Sequence, residues 1–135
     1  MLSANFDINT IRIFIHVLAV TVWVGGQIVM MAILPVLKAA NVEGLPKMVA
    51  KGFQNIAWPA MAIAIFTGFW NIFALRGLDK SFAWNLIFGI KFLIVIISAV
   101  GAARHAKAED PKQKAIYGAV GFGAAIIAMI LGYVI

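Results

Sequence analysis

The sequence predicts an all-α fold, an integral membrane four-helix bundle forming a single domain over residues 1–135. Three observations predict it. The chain is 64% hydrophobic and 12% charged, with a mean hydropathy of +1.00, whereas soluble domains carry about a quarter charged residues. At 135 residues it is too small to hide that apolar surface in a soluble core, because small domains leave much of their area exposed. Four stretches reach the roughly 20 apolar residues that cross a bilayer.

The first span is expected over residues 11–37, after an Asp7-Ile8-Asn9-Thr10 segment suited to capping a helix N-terminus. It is long enough to tilt or to project beyond the bilayer. The second is expected over 54–75, the third over 83–103 and the fourth over 115–135. Residues 38–53, with Lys38, Glu43, Pro46, Lys47 and Lys51, suit a short interfacial helix. Residues 76–82 suit a tight turn, and residues 104–114 a charged loop broken by Pro111. In the fourth span, Ala115, Ala119 and Gly123 recur every four residues, as do Ala124, Ala128 and Gly132. Small residues at that spacing let membrane helices approach closely.

Charge predicts orientation. Lys38, Lys47, Lys51, Arg104, Lys107, Lys112 and Lys114 flank the loops after spans one and three. Arg12, Arg76 and Lys80 lie on the opposite side. A 7 to 3 split places both long loops in the cytoplasm and both termini outside a plasma membrane. The formal charge of +6 belongs to that asymmetry, and no nucleic-acid partner is expected. Residues 1–10 hold Asp7 and no basic residue, so no cleavable signal is expected. Without cysteine, disulfides, thiolate metal sites and thiol nucleophiles are excluded. Phosphate-loop, serine-protease-like and carboxylate-pair signatures are missing too, so a conventional soluble-type enzyme is not expected.

Ionisable groups inside a bilayer are costly and mark candidate sites. Two stand out, His16 and Lys91. His16, Val20, Trp23, Gln27 and Met30 share one face of the first helix. Trp84, Lys91, Ser98 and His105 recur every seven residues on the third, a polar seam expected to face inward. Thr67 and Asn71 are one turn apart on the second. From the outer ends of their spans, His16 lies about five residues in, Lys91 about eight, Asn71 about four and Met129 about six, at about 1.5 Å each. All four are therefore candidates for one pocket. Neutral imidazole is a common metal and haem ligand. Trp23 is a candidate for packing on a flat ligand, or for simple core packing. Trp58, Trp84 and His105 read as interfacial residues. Met30, Met31 and Met61 are placed at one depth, and thioethers suit copper(I); the alternative is that they fill space.

These residues also carry a family resemblance. "HVLAVTVWVGG" followed by "AILPVLK" resembles the first helix of the CopD (copper resistance protein D) domain. "FTGFWNIF" is similar to the Thr-Gly-x-x-Asn stretch of its second helix, and "WNLIFGIKFLIVIISAVGAARH" to its third. HemJ-type protoporphyrinogen oxidases share the plan of an early His, a Pro-Ala-Met stretch (Pro59, Ala60, Met61) and a Lys in the third helix. Val36 follows Pro35 where HemJ-type proteins usually carry Arg. The resemblance implies a four-helix membrane domain with functional residues at His16 and Lys91. It associates the chain with b-type haem or with copper.

Three functions follow as expectations. The first is haem b or porphyrin binding for electron transfer or oxidation. There His16 is the axial ligand, Lys91 a contact to a propionate and Met129 a second ligand, with Trp23 and Asn71 lining the site. Such a protein fits a homo-oligomer or a subunit of a membrane redox complex. The second is a copper-handling module using Met30, Met31, Met61 and His16. The third is a structural or assembly subunit without a cofactor.

Overall fold

The computed structural model describes residues 6–74 and 80–135. The predicted turn at 76–82, the end of the second span at Leu75 and the outer-side charge Arg76 lie wholly or partly outside these residues. Four helices run in order, α1 (Ile8–Ala39), α2 (Leu45–Ala74), α3 (Phe82–Lys107) and α4 (Pro111–Val134). Each is long and apolar enough to cross a membrane, so the all-α, four-span class holds. By contact the chain divides into two units, a hairpin of α1 with α2 and a hairpin of α3 with α4.

The helix ends follow from local chemistry. Asp7 caps α1, its carboxylate accepting from the Thr10 N–H and hydroxyl at 2.9 Å each, which satisfies a donor the first turn leaves open. That fixed charge acceptance holds the exposed Asp7 carboxyl below its ordinary value, the Thr10 N–H being the main cause. At the other end Asn41 adopts φ 55°, and its N–H donates to the Lys38 carbonyl at 3.2 Å. Asn tolerates this left-handed conformation better than most residues, and it stops the helix. Gly44 supplies the second left-handed step, at φ 76°. Pro46 then sits in the first turn of α2, where a missing N–H costs nothing. Ser81 caps α3 by accepting from the Trp84 N–H at 3.1 Å, and Asp110 caps α4 just before Pro111.

These caps lengthen every helix beyond the span read from apolar residues. Residues 45–53 are the opening turns of α2, not a separate interfacial helix. Arg104 and His105 lie inside α3, and Lys112 and Lys114 inside α4, so the predicted charged loop shrinks to residues 108–110. The apolar pattern missed these turns because polar residues join a helix once they clear the hydrocarbon. Pro35 and Pro59 fall inside α1 and α2, each removing one backbone hydrogen bond that membrane helices tolerate.

In the second hairpin, glycine governs packing. A Cβ on Gly101 would lie 2.7 Å from the Gly121 nitrogen, and one on Gly121 would lie 2.9 Å from the Ala102 nitrogen. The two backbones therefore touch, the approach that small residues permit in membranes. Ser98, 1% exposed, donates from Oγ to the Gly121 carbonyl at 2.8 Å. His105 donates through Nδ1 to the Lys114 carbonyl, 2.7 Å away, because a carbonyl only accepts, and its ring fills the space above Gly118. Of the two predicted small-residue stripes, only one packs. Ala124 and Ala128 are buried, whereas Ala115 and Ala119 are exposed and Gly123 has open space beside it.

Candidate functional site

The first hairpin is built around a polar ladder. Going down α1 by one turn, from Arg12 to His16, the partner on α2 goes up by one turn, from Asn71 to Thr67. Arg12 Nε donates to Asn71 Oδ1, and Arg12 Nη1 donates to Asn9 Oδ1 at 2.8 Å. His16 Nδ1 lies 2.8 Å from Thr67 Oγ1. Gly68 gives the imidazole room, since a Cβ there would sit 3.7 Å from His16 Cε1. Thr67 is 1% exposed and Arg12 only 5%.

Below the polar rungs come aromatic ones. Trp23 meets Trp58 edge-to-face, with ring centroids 5.2 Å apart, a favoured geometry for aromatic pairs. One turn further, the Phe53 ring occupies the space a Cβ on Gly26 would need. The Trp-x-Gly-Gly motif thus has a mechanical reading. Trp23 supplies the rung, and Gly26 supplies the gap for Phe53.

The Thr67 hydroxyl decides the state of His16. Its single proton is committed to its own helix, with the Ile63 carbonyl at 2.7 Å and the Ala64 carbonyl at 3.2 Å. Toward His16 it can then only accept. Nδ1 therefore carries the imidazole proton and Nε2 carries the lone pair, an assignment that follows from the hydrogen-bond network. This is the arrangement in which a neighbouring acceptor fixes the ring and tunes Nε2 as a ligand or base.

Of the sequence-predicted site residues, His16, Trp23 and Asn71 fall on the contact face of the first hairpin. Asn71 meets Arg12, and His16 meets Thr67. Lys91 and Met129 belong to the second hairpin. Lys91 reaches toward α4, its Nζ 3.2 Å from where a Gly132 Cβ would stand; Met129 is 36% exposed. The seven-residue seam of α3 does face a partner helix, through Lys91, Ser98 and His105. Trp84 instead stacks on Phe88 and lies under Lys80, whose Nζ is 5.3 Å from the ring centroid.

Two placements need correction. Trp58 is not near a helix end, because α2 begins at Leu45; it is an internal rung. The three methionines do not share a depth. The rungs put Met61 between the levels of His16 and Trp23. Met30 lies seven residues past Trp23, about 15 Å from Met61 along the axis, and Met31 is 53% exposed. The error came from starting the second helix too late. Among the described residues no group of three or more His, Asp or Glu could hold a metal ion.

Sequence reading missed Arg12, which it counted as a loop charge. The signal was present: Arg12 and His16 are one turn apart, as are Thr67 and Asn71, a matched spacing on two antiparallel helices. The fold and composition define a multi-pass integral membrane protein. Comparison with models of known protein families, with curated proteins and with solved structures finds no match.

Proposed function

We propose that this is a small membrane protein binding b-type haem or a porphyrin through His16, for electron transfer or oxidation, alone or as a subunit of a membrane redox complex. The observation that carries the reading is the committed Thr67 proton, which leaves the His16 lone pair on Nε2. A fixed imidazole inside a spanning helix, with its basic nitrogen defined, is suited to an axial position. The resemblance to CopD and HemJ-type proteins supports the same reading. Its Thr-Gly-x-x-Asn stretch is the part of α2 that holds His16 and Arg12 in place.

The iron of such a group, when bound, supplies one-electron chemistry. His16 would hold it, and Thr67 would keep the imidazole from rotating. The Trp23–Trp58 pair closes the apolar wall below. The basic residues around the loops favour both termini outside a plasma membrane.

The test is an absorption spectrum of the full-length protein purified from haem-sufficient cells. A Soret band is expected in the wild type and is expected to vanish in His16→Ala. Thr67→Val is expected to keep the band but shift the midpoint potential, because it removes only the Nδ1 acceptor. A wild-type preparation with no Soret band sinks the reading.

A further inference from the structure

Arg12 is a buried cation held by neutral groups. It lies four residues into α1, about 6 Å along the axis from Ile8, and is buried. A guanidinium keeps its charge at any accessible pH. Its two hydrogen bonds go to the amide oxygens of Asn71 and Asn9. These orient the plane but do not neutralise it. Among the described residues no carboxylate pairs with it, and its Nη2 has no acceptor. Asp7 lies one amide away, its Oδ2 accepting from Asn9 at 3.4 Å, but its Oδ1 serves Thr10 and the residue is exposed. A buried charge left without a counter-charge is costly.

We propose that Arg12, with Asn71 and Asn9, binds the acidic headgroup of a membrane amphiphile, the phosphodiester of an anionic lipid or the carboxylate of a fatty acid. The guanidinium fork matches both oxyanions. Asn71 gives its oxygen to Arg12, so its amide N–H group remains as a donor beside the fork. The site is rich in donors, and among the described residues no carboxylate touches the guanidinium. It lies near the start of a helix long and apolar enough to span a membrane, and Ile8, Ile11 and Phe73 are exposed near it in sequence, where an acyl tail would lie. This site does not depend on the haem reading.

The experiment uses the full chain in nanodiscs of mixed phosphatidylglycerol and phosphatidylcholine, with retained lipid counted by native mass spectrometry. The wild type is expected to keep phosphatidylglycerol over phosphatidylcholine by about 10-fold or more, the range of one charge-assisted contact. Arg12→Gln is expected to bring the ratio near parity, Arg12→Lys to lie between, and Asp7→Asn to leave it unchanged. Displacement by palmitate but not by inorganic phosphate supports an amphiphile. Displacement by inorganic phosphate alone overturns that assignment. Equal retention of the two lipids by the wild type overturns the proposal without any variant, as does a wild-type ratio in Arg12→Gln.

Discussion

The two hairpins solve one problem in opposite ways. In the first, side chains do the joining, through Arg12–Asn71, His16–Thr67 and Trp23–Trp58. In the second, the backbones themselves meet at Gly101 and Gly121, with Ser98 and His105 each donating to a carbonyl of α4. Lipid offers no hydrophobic drive for helices to associate, so either close packing or interhelical hydrogen bonds must supply it. The difference teaches where function can reside. Where Gly101 meets Gly121 the two backbones leave no room between them for a ligand. A hairpin held by long polar side chains keeps ionisable groups at its centre, and those groups can bind something.

The comparison breaks most sharply at the glycines. Gly101→Val is expected to destabilise the second hairpin by about 1–3 kcal/mol or more, because its Cβ meets backbone that cannot rotate away. Gly123→Ala, facing open space on α4, is expected to change stability by less than about 0.5 kcal/mol. Reversible unfolding in detergent measures both. If the two substitutions cost the same, the close crossing is not what holds α3 to α4.

A smaller effect is expected in the first hairpin. A double-mutant cycle on His16→Ala and Thr67→Val should give a coupling of about 0.6–2 kcal/mol, the range for hydrogen bonds between membrane helices. Additive effects would mean that the rung is incidental. The smallest effect concerns Asp7. Its carboxyl titrates below an ordinary aspartate near 3.8 because Thr10 holds the charged form. Its contribution to capping α1 is therefore fully present above about that pH and is lost as pH falls through the lower folded value. Helicity followed by circular dichroism from pH 5 to 2 should show a loss in the wild type that Asp7→Asn does not share.

Much of the candidate site was legible because helical spacing is a property of one chain segment. His16 and Trp23 share a face, Thr67 and Asn71 share another, and Lys91, Ser98 and His105 share a third, whatever packs on them. Arg12 was not legible, because a cation near a predicted helix end reads as a loop charge unless its partner is known. Nor was the role of Trp58, whose depth depended on how far α2 extends into polar sequence. The methionine cluster failed for the same reason: depth counted from a helix end inherits any error in that end.

The sequence by itself determined the membrane class, the four spans and which residues of each helix lie on a common face. These follow from composition and from a 3.6-residue period, both local. Only the tertiary structure decided which face meets which. It paired His16 with Thr67, so that one hydroxyl proton sets the imidazole tautomer. It chose one small-residue stripe of α4 over the other. It also drew Arg12 inward against two neutral amides. Those outcomes depend on the register between helices, a relation between distant segments that no spacing within one helix encodes.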